Sequence, residues 1–384
     1  MKTPKLDKSI LSPVWLGEVC YEETGLFRNE EDEIPTLYKP KKILLVTSYT
    51  KEITYEEGVD FTVTRYGIKR TPDSRIPYLS EDVLYSKELT DFMVTREERK
   101  TRNTLYSEGT TYPFHQLRIT YEHEPTHRTL NVGEHCDRFT HFIEKLERGE
   151  DVTVFFYGDS ITFGYNASAR VNIPPYTPSW PILVTMALAE KYGYGIRYVN
   201  VDISPEEATF LPYESDDNAD KYITYINTSV PGWRLEEAVR CKQKHLISPA
   251  KEYGCDLFLL GFAMNNRDTS VKDFRALSRE LVCNLLDVAP EACVTLLSSM
   301  NRNPFDITRN AGIQPFMEEI MYSLSDELYY EEGKMCAVAP MNTVSRFILG
   351  SKRFIDTTGN GINHPNDYFS AVYAQTILKT IGVI

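Results

Sequence analysis

From about residue 149 onward, short apolar runs alternate with stretches whose apolar residues recur at helical spacing. No other feature of the chain restricts its fold as strongly. Runs at 152–157, 196–201, 256–260 and 292–297 read as buried strands. Helical patterns occupy 180–192, 234–245, 271–287, 313–331 and 369–381, and Gly193 supplies a stop signal after the first. Strands that are apolar throughout need cover on both faces, and intervening helices supply it. The expected class is therefore α/β, with a parallel sheet.

The preceding residues read differently. Residues 42–49 are an apolar, β-branched run; 53–67 alternate apolar with polar residues and turn at Glu57-Gly58. In 116–123, Leu117, Ile119 and Tyr121 would share one strand face. Gly and Pro punctuate these runs, and no long helical pattern intervenes. Short strands of this kind predict a β-sandwich. Residues 137–147 are polar and partly amphipathic, a helix or a linker. The expected division is a β-sandwich over 1–148 and an α/β domain over 149–384, and a chain of 384 residues has length for both cores.

A formal net charge of −13 argues against nucleic acid, which demands a basic footprint, and against an anionic membrane surface. No run of about 18 apolar residues predicts a membrane span, and the N-terminus lacks the apolar region of a signal peptide. The seven cysteines are scattered and form no CxxC, which predicts reduced thiols and a cytoplasmic protein. No HExxH, EF-hand loop, Walker A or GxGxxG is present, so neither a metal nor a cofactor is expected. The 25 tyrosines suit partly wet surfaces such as sugar sites, and equally suit strands. Homo-oligomerisation is left open.

The strand at 152–157 runs into Gly158-Asp159-Ser160. Ligands of an open parallel sheet bind at the carboxyl ends of its strands, so Ser160 would stand at that edge where a helix begins. There its hydroxyl gains a backbone N–H and a favourable site for developing negative charge. Alone, a Gly-Asp-Ser turn is only a helix cap. A serine nucleophile needs a base. Five of the seven histidines lie in or beside the β-rich part, and His245 falls near a helix end. His364 instead occupies a turn-rich loop, 358–367, directly before the last helix. Two further loops carry hydrogen-bond donors suited to an oxyanion: 228–234, where Gly232 can present its N–H, and 259–266, where an apolar strand ends in Asn265-Asn266. The N–H of Ser160, the N–H of Gly232 and the amide of Asn265 would make three donors.

Ser160, Gly232, Asn265 and His364 occur in the order of the four residues that name the SGNH, or GDSL-like, hydrolase family. Gly158-Asp159-Ser160-Ile161-Thr162 resembles its first block, Gly232 fits the second, Ala263-Met264-Asn265-Asn266 the third, and Asn363-His364-Pro365-Asn366 the last. The resemblance spans about residues 150–384. It implies a flavodoxin-like three-layer α/β/α fold and ester hydrolysis without a cofactor. It also implies Ser160 as nucleophile, His364 as base, and Ser160, Gly232 and Asn265 as oxyanion donors. The chain departs from the pattern at Gly361, where members often carry an aspartate three residues before the histidine. A Ser-His dyad is then expected, with a backbone carbonyl holding His364; Asp356 is a second candidate for the acid. Ala263 and Asn266 also replace the usual Gly and Asp of the third block.

Tyr55-Glu56-Glu57-Gly58 with Asp60-Phe61, residues 73–77 and residues 119–123 resemble the β-sandwich that precedes some SGNH carbohydrate esterases. That resemblance implies an acylated sugar as substrate. Trp233, Tyr165 and Asn166 are candidates for lining the substrate cleft, and Trp180 for either the cleft or the core. The expected activity is removal of a short acyl group, acetyl above all, from a carbohydrate or a small ester. Two alternatives are a lipase or thioesterase of the same family, and a carbohydrate-binding protein with an impaired esterase site.

Overall fold

A computed structural model describes residues 6–86, 93–95, 103–125, 130–200, 213–305 and 313–384. Before residue 149, the largest sheet is antiparallel and consists of β1 (Val19–Leu26), β2 (Pro40–Ser48) and β3 (Gln116–His123), with β3 in the middle. Two further antiparallel sheets have three strands each, of two to four residues. Three small sheets among the described residues are less than the two-sheet sandwich expected for residues 1–148. The reason is visible in the packing. Leu117, Ile119 and Tyr121 do share one buried face of β3, but that face joins the core that holds the last helix of the chain.

The later part is α/β. Six parallel strands form one sheet: β4 (Val152–Gly158), β5 (Gly195–Val199), β6 (Tyr222–Asn227), β7 (Leu257–Gly261), β8 (Cys293–Leu297) and β9 (Cys336–Ala339). Their order is β5-β6-β4-β7-β8-β9. Alternate residues of each strand serve opposite faces, as the pleat requires. Val152, Val154 and Phe156 of β4 join one core with α1 (Thr140–Arg148) and α2 (Trp180–Tyr192). Phe155 and Tyr157 join the other, with α3 (Leu235–Arg240), α4 (Val271–Leu286) and α5 (Met317–Tyr330). The outcome is three layers. α6 (Met341–Leu349) and α7 (Asp367–Thr380) belong to the first core.

In α7 every residue but Lys379 is buried. A helix apolar or enclosed all round lies between two partners. Here one partner is the parallel sheet with α2, and the other is the chain before residue 149. Gln375 donates to Ile10 O at 2.7 Å and accepts from Val14 N at 3.1 Å. Arg118 pairs with Asp367 at 2.5 Å, and Lys352 with Glu23 at 2.6 Å, all four side chains almost wholly buried. The two parts of the chain are therefore joined through a continuous core and buried ion pairs. Among the described residues no helix is long and apolar enough to cross a membrane.

Candidate active site

The sheet order brings three loops together. β4 lies between β6 and β7, so the segments leaving their carboxyl ends surround one crevice, the usual ligand position in such sheets. At the end of β4 the chain turns so tightly that a Cβ at Gly158 would lie 2.2 Å from Thr162 Oγ1 and 2.7 Å from Gly261 O. Asp159 then caps a one-turn helix, Ser160–Phe163, by accepting from Ile161 N at 2.9 Å. Ser160 is its first residue. Backbone groups of Ala263 and Met264, on the loop after β7, also lie close enough to the Asp159 carboxylate to favour its charged form. Burial raises the Asp159 pKa to about 6, although these contacts and the charge of His364 oppose the rise.

His364 comes from the loop before α7. Asn360 Oδ1 accepts the backbone N–H groups of Ile362, Asn363 and His364 at 3.0, 3.0 and 3.1 Å. Thr358 Oγ1 and Gly359 N–H both donate to His364 O. The loop is thus held by its own side chains, and the imidazole is fixed in position. His364 Nε2 lies 2.9 Å from Ser160 Oγ. Its other nitrogen, Nδ1, lies 2.8 Å from Asn166 Oδ1. The Asn166 amide is oriented by donation from Nδ2 to Gly359 O, so its oxygen faces the ring. Nδ1 then carries the proton and Nε2 presents a lone pair to the serine hydroxyl.

The Glu108 carboxylate also approaches Nδ1, at 3.2 and 3.3 Å. It accepts from Tyr106 Oη at 2.7 Å and from Asn360 Nδ2 at 3.0 Å. Burial alone would raise its pKa, but the contacts from His364, Asn360 and Tyr106 hold it down to about 2.

Ser160, Tyr165, Gly232, Asn265 and His364 line one cleft of about 430 Å³ together with Tyr106, Glu108, Pro231, Ile362 and Asn363. Tyr165 stacks on the His364 ring at 5.4 Å. Gly232 stands at φ +80° with open space where a Cβ would be, so glycine serves the backbone conformation there. Asn265 Nδ2 donates to Trp233 O at 3.0 Å, which ties the loop after β7 to the turn after β6.

Several expected residues stand elsewhere. Trp233 packs 4.6 Å from the His245 ring and against the core, and is not among the cleft-lining residues. Trp180 takes the core place of its two expected ones, wholly buried and donating to Ile161 O. Asn166 is buried behind His364 at φ +64°, in the left-handed region that asparagine tolerates better than most residues. Asp356 is buried against Arg353 and Leu26 N, in contacts that do not include His364. Asn266 accepts from Leu235 N and donates to Glu236 and Thr269, a structural cap on α3. Glu108 was missed from sequence. It lies in a stretch without periodicity, 256 positions from its partner, and nothing local marks it. Among the described residues, no three His, Cys, Asp or Glu side chains are grouped as a metal site would require.

No protein-family model and no curated protein matches the chain. Solved structures similar to it include a two-domain esterase (CEX) active on acetylated mannans, at 16% identity and TM-score 0.39. That match covers 63% of this chain and 52% of the other, so this chain spans about half of that protein. A carbohydrate esterase family 3 protein from Talaromyces cellulolyticus matches at 14% identity and TM-score 0.39, over 59% of this chain and 94% of the other. The acetyl xylan esterase AlAXEase matches at 14% identity and TM-score 0.38, over 59% and 98%. Further matches include proteins described as a GDSL-like lipase and an SGNH hydrolase, each at 13% identity.

Proposed function

We propose that the chain is a serine esterase of the SGNH type, with Ser160 as nucleophile and His364 as general base. The observation that carries this reading is the 2.9 Å approach of Ser160 Oγ to His364 Nε2, in a buried site whose histidine is fixed on its far side. That contact also weighs against an impaired site, which would hold the two groups apart.

The reaction is two acyl transfers. Ser160 Oγ attacks the ester carbonyl while its proton passes to His364 Nε2. The oxyanion is stabilised by the N–H of Ser160, the N–H of Gly232 and the Asn265 amide, which has a second N–H beyond the one held by Trp233 O. His364 gives the proton to the departing alcohol, leaving an acyl-enzyme. Water, deprotonated by His364, then releases the acid.

The substrate is a short acyl ester, acetyl above all, on a carbohydrate. The cleft is small and its walls include Tyr106, Tyr165, Asn363 and Glu108, polar and aromatic groups suited to a hydroxylated alcohol. A lipase or thioesterase would instead need a long apolar channel. In this reading the hydrolase unit is 149–384, and the accessory unit at 1–148 adds Tyr106 and Glu108 to the wall of its cleft. The test is release of p-nitrophenol from acetyl, butyryl and octanoyl esters by the wild type and Ser160→Ala, followed by acetylated sugars. Hydrolysis fastest on acetate and absent in the variant supports the reading. Equal rates in both proteins would reject it.

A further inference from the structure

We propose that Glu108, delivered by the chain before residue 149, is the carboxylate that orients His364 and stabilises its imidazolium, in place of the aspartate missing at Gly361. The proposal rests on the reading of Ser160 and His364 as nucleophile and base. It makes the first part of the chain a component of the reaction centre.

Three observations carry it. First, the geometry suits the role. The Glu108 oxygens stand 3.2 and 3.3 Å from His364 Nδ1, and Tyr106 and Asn360 hold the carboxylate there. Donors that favour the charged form keep it ionised across the working range of an esterase.

Second, the segment that brings Glu108 also occupies the space an aspartate at 361 would need. Gly361 has φ +85°, and a Cβ there would lie 2.2 Å from Tyr112 Oη and 2.4 Å from Leu105 O. Leu105 and Tyr112 are buried in a small core with Leu26, Leu79, Leu84 and Ile355. Ser107 N–H donates to Asn360 O at 3.2 Å, joining the same segment to the histidine loop. One segment thus excludes the familiar acid and supplies another.

Third, the nearer partner of Nδ1 cannot do the whole task. Asn166 is neutral. Its carbonyl oxygen fixes the tautomer, but an ionised acceptor stabilises a positive ring more strongly. The one Nδ1–H is shared: Asn166 sets direction and Glu108 supplies charge. Proton accounting is unchanged. The Ser160 proton goes to Nε2 and then to the leaving alcohol, and Glu108 remains a carboxylate throughout.

The test compares the full-length wild type with Glu108→Gln, Glu108→Asp and Ser160→Ala, measuring kcat and KM on p-nitrophenyl acetate across pH. Among the described residues, the ionisable groups around His364 are Glu108, Asp159, Tyr106 and Tyr165. Asp159 is present in every variant, so a difference between profiles reports on Glu108. In Glu108→Gln, kcat is expected to fall about 100-fold with KM within a factor of about two, and the acid limb of kcat/KM to move to lower pH. Glu108→Asp should fall between the two. If Glu108→Gln does not fold, Tyr106→Phe carries the test: it removes one bond to the carboxylate and should move both readouts in the same direction by less. Wild-type kcat with an unmoved acid limb would overturn the proposal while Ser160→Ala remained inactive. A loss of kcat with an unmoved limb would mean a structural role and would overturn it equally. Activity surviving in Ser160→Ala would reject the esterase reading itself.

Discussion

Gly361→Asp introduces the aspartate that the resemblance to SGNH hydrolases leads one to expect three positions before His364, and that resemblance alone would predict a gain. The structure predicts a loss. At φ +85° a residue with a Cβ carries about 1–2 kcal/mol of left-handed strain. The same Cβ would lie 2.2 Å from Tyr112 Oη and 2.4 Å from Leu105 O, and overpacking of this kind costs about 1–3 kcal/mol. Tyr112 is fully buried and its hydroxyl donates to that same Leu105 carbonyl at 3.0 Å, so it has no free direction in which to retreat. The combined destabilisation is about 2–5 kcal/mol. The assay is guanidinium denaturation of wild type, Gly361→Ala and Gly361→Asp, with p-nitrophenyl acetate turnover on the same samples. Ala carries the steric and backbone terms without the charge, so it should lose that amount, and Asp at least as much. Both should be slow, because the His364 loop and the Glu108 segment are forced apart. A Gly361→Asp protein as stable as the wild type, with equal or higher kcat, would refute the reasoning.

If Asn265 is an oxyanion donor as proposed, Asn265→Ala should lower kcat by about 10²–10³ with little change in KM, measured by steady-state kinetics. Asp159 has a folded-state pKa of about 6 against the usual 3.8, raised by burial. The folded protein therefore holds a proton between about pH 4 and pH 6 that the unfolded chain has released. Its contribution to stability is full below that window and is lost as pH rises through about 6, a change of about 3 kcal/mol. Unfolding free energies measured from pH 4 to 7 should show this slope, and Asp159→Asn should flatten it. Lys352→Met leaves Glu23 buried without its cation and should destabilise by about 3–5 kcal/mol in urea, with partial recovery on adding Glu23→Gln.

Much of the architecture was legible because burial writes itself into apolar patterning. The expected strands at 152–157, 256–260 and 292–297 fall on β4, β7 and β8, and the expected helix at 271–287 on α4. The last part of the run expected at 196–201 lies outside the described residues. Two strands of the parallel sheet escaped, as did β1 before residue 149. Cys336–Ala339 is only four residues and half alanine, with little β preference to display, and Tyr222–Asn227 mixes tyrosine and threonine with its apolar residues. The helix expected over 234–245 is interrupted instead: α3 ends at Arg240 and a wider turn, Gln243–Ile247, follows. At the site, Ser160, Gly232, Asn265 and His364 stood out because each follows a strand or precedes a helix. Glu108 and the inward turn of Asn166 did not, since contacts set by tertiary packing leave no local period. Trp233 looked like a sugar platform from its neighbours, yet its ring found His245 and the core.

The most direct measurement is stoichiometric labelling of the intact chain with a p-nitrophenyl alkylphosphonate, an acyl-transfer trap for activated serines. Release of p-nitrophenol gives the stoichiometry, and peptide mass spectrometry gives the modified residue. A serine esterase centred on Ser160 and His364 predicts one equivalent released, the adduct on Ser160, activity lost in proportion, no labelling in Ser160→Ala and slow labelling in His364→Ala. An adduct on another residue, or esterase activity that survives complete labelling of Ser160, would contradict it.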